Sequence, residues 1–498
     1  MAAESIIIIG GGLAGLSTGC YAQMNGFNTR ILEQHYRPGG LCTAWKRQGY
    51  TMDGCIHWLM SCQPGTSFRQ MYDELGCLTG NRLLPVEEYC RFFDQSSRRS
   101  LLISSDVNRL REDMHALAPE DGKAIDEFIR CSKGLIGFDT GIPEPRELMN
   151  FKSSLRMLRQ LRPIIKYAYK YNLPVREYAQ RFKNPFLRDC LTNLFLPDMP
   201  TYFLFVLMAQ LFGHQLGCIE GASQRFADAI ADRYLQLGGE IIYKAGAEKI
   251  IVQNDRAVGV RLEDGRELLA DLVVSAADGY TTIFDMLDGR YVDDQINRRF
   301  KEWPLFNPLV LISYGVDREF PGEYSTHFIN LSRPLTIGSR EVKNCYLRIF
   351  NYDPTLAPAG KTVLQVGLES DYDYWIELIK DEAAYMQAKD DLAAEVMTRV
   401  EDLYPGTANQ VEVTNVATPY TFWYFTRNYR ASYEGWMMTK EAFQTILPKT
   451  LPGLSNFYMA GQWVEPGGGI PPVLYSGRNV VRIICHREGR AFATSQPE

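Results

Sequence analysis

The sequence predicts an α/β protein with a parallel, helix-covered sheet, and three observations carry that prediction. A run of four isoleucines near the start breaks into glycines, the next apolar run ends in an acid, and a second glycine cluster follows a short apolar run near the other end. Ile6-Ile7-Ile8-Ile9 reads as a strand buried on both faces, since β-branched side chains fill a pleated surface and no polar residue alternates with them. Gly10, Gly12 and Gly15 then form G-x-G-x-x-G at the turn into a helix that opens on Leu13 and Ala14 and that Gly26 is placed to end. The first glycine permits a tight turn, the second lets backbone approach a pyrophosphate, and the third lets helix and strand pack closely. Such a helix start offers free N–H groups and the positive end of a dipole. Thr29-Arg30-Ile31-Leu32 is the second strand, and Glu33 closes it, where a carboxylate accepts ribose hydroxyls of an ADP moiety.

An acid there meets the 2′-phosphate of NADP with like charge, which leaves NAD and FAD. The continuation favours FAD. Gln34, Arg37, Gly39, Gly40 and Leu41 follow at once as candidate cofactor contacts. Far along the chain, Phe457-Tyr458-Met459-Ala460 runs into Gly461, Gln462 and Trp463, then into Pro466-Gly467-Gly468-Gly469-Ile470-Pro471-Pro472 and Ser476-Gly477-Arg478. This second strand, glycine loop and helix start gives backbone amides to a cofactor longer than NAD, with Gly461, Gln462, Gly469, Ile470 and Pro471 as contacts.

These blocks together resemble the phytoene desaturase and retinol saturase flavoproteins, within the wider flavin amine oxidase superfamily. The resemblance extends to Ala245-Gly246-Ala247-Glu248-Lys249-Ile250, where it implies that Ala247 contacts the adenine, and to Asp271–Asp278, which returns the chain to the cofactor. Gly49–Trp58, containing Asp53, Ile56 and His57, is similar to the D-x-G-I-H-Y of the retinol saturase branch. Three departures stand out. Gln462 replaces an acid that holds a ribityl hydroxyl, Cys55 replaces the glycine of D-x-G-I-H, and Gly221-Ala222 replaces a glycine pair, a change expected to matter little for chemistry.

Composition agrees with a globular cytoplasmic enzyme. A chain of 498 residues with net charge −6 is long enough for two or three domains. Its 11 cysteines contain no C-x-x-C pair, so neither a zinc clip nor a disulfide framework is indicated. No signal peptide is expected ahead of the first strand, and no apolar run approaches the roughly 18 residues needed to span a bilayer. The fold class is α/β. A Rossmann-type, glutathione-reductase-like FAD-binding domain is assembled from residues 1–80, 215–290 and 440–498. A discontinuous α+β substrate domain occupies 291–439, and a helical basic insertion occupies 81–214.

Residues 152–188 carry ten Lys or Arg against the single acid Glu177. At helical spacing Lys152, Arg156, Arg159, Arg162, Lys166 and Lys170 share a face, with Leu158, Leu161, Ile164, Ile165 and Ala168 opposite. A basic amphipathic helix suits a membrane surface, a solvated helix packed on the core is the plainer alternative, and Pro163 leaves open one helix or two. No nucleic-acid fold or interleaved stacking aromatics accompanies the charge. Phe203–Ala209 reads as a core helix or a tunnel wall. Eight aromatics between Tyr420 and Trp436 exceed what one amphipathic element needs, so some should line a cavity.

FAD brings hydride transfer, and the protein must exclude water, align a C–H or C=C bond and manage a proton. His57, Tyr433 and Glu434 are the candidate catalytic residues, with Asp53 a further one; His57 reads equally as a packed core ring. No metal constellation is present in the pattern. The expected activity is saturation or desaturation of a lipophilic polyene or isoprenoid, carotenoid- or retinoid-like. The alternatives are cis–trans isomerisation at the same site, a flavin amine oxidase, and a non-enzymatic lipid escort like the GDP dissociation inhibitors. The electron donor or acceptor is not written in the sequence.

Overall fold

The computed structural model describes residues 4–495. The β-branched run forms strand β1 (Ser5–Ile9), which leads through the glycine turn into α1 (Leu13–Met24) and back along β2 (Asn28–Glu33). The chain then leaves the sheet for a hairpin, β3 (Glu88–Asp94) and β4 (Ser100–Ser104), and a helical stretch that includes α2 (Phe151–Lys170) and α3 (Thr201–Phe212). It returns for β5 (Glu240–Tyr243) and β6 (Leu272–Ser275). Five longer strands follow: β7 (Leu309–Val316), β8 (Thr326–Ile337), β9 (Arg340–Ile349), β10 (Thr362–Glu369) and β11 (Val411–Ala417). The last elements are β12 (Phe457–Met459) and α4 (Ile470–Arg487).

The first sheet has the order β12-β6-β1-β2-β5, parallel throughout. Its strands come from all three segments expected to bind the cofactor. From β1 the chain builds outward on one side through β2 and β5, then fills the other side with β6 and β12. The carboxyl end of β1 is thus the topological switch point, where open α/β sheets bind ligands. Helix α1 is buried along nearly its whole length, packed between this sheet and α4. A Cβ on Gly477 would come within 2.7 Å of the Ala14 carbonyl oxygen, so the two helices touch backbone to backbone.

The second sheet has the order β11-β7-β10-β9-β8-β3-β4. Its pairs are antiparallel except that β3 runs parallel to β8, with His327 opposite Arg91. The insertion at 81–214 is therefore not wholly helical, because its first hairpin extends the substrate sheet. That pairing joins residues more than two hundred positions apart and leaves no local signal.

Helix α2 is one helix, continuous through Pro163. Pro163 and Arg159, whose carbonyl loses its intrahelical donor, are both exposed, so water can satisfy the freed carbonyl. The expected apolar face divides. Ile164 and Tyr167 are buried, whereas Phe151, Leu155, Leu158, Ile165 and Tyr169 form an outward stripe with exposures from 41% to 93%. Helix α3 is buried almost throughout. Ala222, expected to matter little, caps the helix Ser223–Gln236 at φ 78°, a region that strains any residue with a Cβ. All eleven cysteines are free thiols, ten of them buried.

Candidate active site

At the carboxyl end of β1 the glycine turn meets the 39–41 turn face to face. A Cβ at Gly40 would lie 3.3 Å from the Cα of Gly12, and Gly39 donates its N–H to the Gly11 carbonyl at 2.9 Å. Bare backbone therefore faces a continuous cavity of about 1340 Å³. Glu33 lies beside it, 6% exposed. Its carboxylate accepts the Gly11 and His35 backbone N–H groups, each at 2.7 Å. Burial pushes Glu33 above the usual carboxylate range, and those two N–H groups pull the other way.

On the opposite wall, Gly461 donates its N–H to Ser476 Oγ at 2.9 Å, which ties the end of β12 to α4. Helix α4 begins at Ile470 after Gly469, so its N-terminus also faces the cavity. These features fit FAD: a fixed carboxylate for the ribose, glycine backbone for the pyrophosphate, and a second helix start for the far end of the cofactor.

Gly10, Gly12, Leu13, Ala14, Glu33, Gln34, Gly39, Gly40 and Leu41 line the cavity, together with Ala247, Gly461, Gln462, Gly469, Ile470 and Pro471. Gly15 does not line it and acts in packing, since a Cβ there would fall 1.9 Å from the Gly10 carbonyl oxygen. Arg37 is turned away, its guanidinium donating to the Ala44 carbonyl and to Gln224. Gln462 donates to the Ser432 carbonyl at 3.4 Å. Asp53 is buried behind the wall and accepts the Ser223 N–H at 3.2 Å, so it braces the fold away from the chemistry.

All three candidate catalytic side chains reach the cavity. His57 presents its ring to the cavity, hydrogen-bonds no side chain among the described residues, and lies 5.7 Å from the Tyr346 ring. The ring is open to the cavity, yet desolvation by the protein around it, reinforced by the nearby Arg348 charge, lowers its pKa to about 3. It is a neutral imidazole at physiological pH and a poor proton acceptor. Burial raises the Tyr433 phenol well above its ordinary value. Burial also lifts Glu434 to about 7, against one opposing N–H from Gly469. Glu434 is thus the one of the three whose proton exchanges readily near neutral pH.

Away from the glycine turns the lining is largely apolar, with Arg176, Asn193, Asp198, Asn307, Asn344 and Glu369 among its polar members. Tyr89, Phe195, Phe203, Phe328, Tyr346 and Phe443 line this arm, and Leu161, Ile164 and Ala168 of α2 close its side. Of the aromatics between Tyr420 and Trp436, Phe422, Phe425 and Tyr433 reach the cavity, while Trp436 is core at 1% exposure.

Sequence reasoning did not single out several titratable residues of this lining, among them Asp278, Lys449 and Glu465. Asp278 accepts the Tyr429 and Thr281 N–H groups at 2.7 and 2.8 Å, and burial raises it to about 6. Lys449, its side chain 1% exposed, pairs with Glu465 at 2.5 Å and donates to the Val464 carbonyl at 2.9 Å. Lys449 follows a proline in an unpatterned stretch, so nothing local marks it. Among the described residues no cluster of His, Cys, Asp or Glu could hold a metal ion.

Several known proteins resemble this chain. Prolycopene isomerase of Arabidopsis thaliana, a chloroplastic protein, is 22% identical over 95% of this chain and 81% of its own length. The lycopene-forming phytoene desaturase of Pseudescherichia vulneris is 24% identical over 95% and 98%. All-trans-retinol 13,14-reductase of Danio rerio is 23% identical over 92% and 82%. An oxidoreductase structure from Methanosarcina mazei superposes with a TM-score of 0.61 at 16% identity, covering 96% of this chain and all of that one. Residues 13–485 match the flavin containing amine oxidoreductases. The chain belongs to that family and is an FAD-dependent oxidoreductase.

Proposed function

We propose that this enzyme saturates or desaturates a carbon–carbon bond of a lipophilic polyene or isoprenoid. The observation that carries the reading is the aromatic, aliphatic arm that continues from the glycine cradle to α2 within one cavity. It suits a long apolar chain. The names of the relatives support the same class, since a desaturase and a reductase of polyenes are among them. Bound FAD supplies hydride exchange with a substrate carbon.

The side chains here do the remaining work. The apolar arm excludes water and holds the chain in register, Tyr346 and Phe328 pack its flanks, and Glu434 exchanges a proton at the neighbouring carbon. Tyr433 and His57 stay uncharged and position the substrate. Cis–trans isomerisation by the same residues is the second reading, favoured by the relatives named prolycopene isomerase. No helix among the described residues is long and apolar enough to cross a membrane. The exposed stripe of α2, flanked by Lys and Arg, supports peripheral docking where a lipophilic substrate would enter.

An anaerobic titration of the holoenzyme tests the proposal. A polyene that bleaches the flavin band names a desaturase direction. A polyene that reoxidises chemically reduced enzyme names a reductase, and altered polyene geometry without net redox change names the isomerase. Bleaching by amines, with no response to any polyene, would sink the reading.

A further inference from the structure

The substrate sheet forms one wall of the cavity, and its register orders the residues along that wall. Leu311 pairs with Gly367, Gly367 with Tyr346 and Tyr346 with Phe328. Side chains two positions apart share a face, so the next row on the same face holds Leu309 paired with Glu369 and Asn344 paired with Asn330, with Glu369 and Asn344 just past the Tyr346–Gly367 end of the ladder between β9 and β10. Two residues of strand place this row about 7 Å further out. The wall thus changes from apolar to hydrogen-bonding in one step. Asn307 joins the polar row by donating to Glu369 at 3.0 Å. Glu369 is also paired with Arg340. Asn344, half-buried, lines the cavity with its amide unpartnered among the described residues.

Resting on the polyene reading above, the geometry points to a substrate that is not a plain hydrocarbon but carries a terminal hydroxyl, seated against Asn344, Asn307 and Glu369. A hydroxyl both donates and accepts, which matches a carboxylate beside two amides. A carboxylate terminus meets Glu369 with like charge, and the Arg340 that could offset it is already engaged. A hydrocarbon terminus displaces water from the half-buried Asn344 amide and offers it no bond in return.

The test uses FAD-loaded enzyme and matched polyenes of about C20 and C40 length, each as hydrocarbon, terminal alcohol and terminal carboxylic acid. Binding is read from quenching of tryptophan fluorescence. One net hydrogen bond corresponds to a preference of roughly five- to tenfold for the alcohol over the hydrocarbon, and this ratio collapses toward one in Asn344→Leu and, as an independent variant, Asn307→Leu. Thermal melts confirm that both variants fold. Equal affinity of alcohol and hydrocarbon, a ratio untouched by either variant, or tightest binding of the acid overturns the end-group assignment alone. Failure of every polyene to bind overturns the polyene reading beneath it.

Discussion

Replacing Gly15 with alanine tests whether the first turn of α1 is a precision seat for the cofactor. The added Cβ would stand 1.9 Å from the Gly10 carbonyl oxygen and 3.1 Å from the Gly10 carbonyl carbon, about 1.5 Å short of ordinary contact with that oxygen. Both are backbone atoms, so no side chain can swing aside. Either α1 lifts from the sheet or the Gly10–Gly12 turn flattens. Each displaces the N–H groups at the start of α1 by more than a hydrogen bond tolerates. Losing two charge-assisted bonds to a pyrophosphate, at about 1.5–3 kcal/mol each, weakens FAD binding by roughly 10²- to 10⁴-fold. The assay is fluorescence titration of deflavinated protein with FAD. Gly26→Ala is the control: Gly26 has φ 78° with nothing within 4 Å of its would-be Cβ. That substitution costs about 1 kcal/mol of stability and leaves FAD affinity unchanged. A G15A protein that binds FAD within threefold of the parent refutes the argument.

Other consequences can be measured on the same enzyme. If Glu434 exchanges the proton, the rate profile inflects near its value of about 7, and Glu434→Gln removes the inflection and about 10² of the rate. Burial raises Glu434 above 4.5, so its ionisation weakens the fold progressively from there to about pH 7; melts of E434Q against wild type should diverge across that window. Lys449→Met leaves Glu465 buried without its partner and should cost about 3–5 kcal/mol, read by chemical denaturation. Serine at Phe151, Leu155 and Leu158, exposed by 84%, 41% and 56%, should abolish sedimentation with anionic vesicles while the melting temperature holds, and salt should weaken the parent's binding. Ala222→Gly should relieve the strained cap and stabilise the fold by about 1 kcal/mol, seen as a rise in melting temperature.

The glycine turn and the carboxylate beside it were legible in the chain. Their signals are local: Gly10, Gly12, Gly15 and Glu33 fall within one strand–helix–strand unit, and the 461–471 block within another. Each glycine answers to a steric demand that spacing alone reveals. Tertiary structure decided what depends on distant neighbours. Parallel pairing of β3 with β8 drew the start of the helical insertion into the substrate sheet. Packing against the core divided the apolar face of α2 between cavity and surface. Desolvation by the surrounding protein separated His57 from Glu434 as a proton carrier, since it drives a histidine down and a carboxylate up. It also turned Arg37 and Asp53 into braces. Lys449, Glu465 and Asp278 acquire their meaning only from burial. The chain's pattern records which residues are polar, and the fold alone sets how much water they lose.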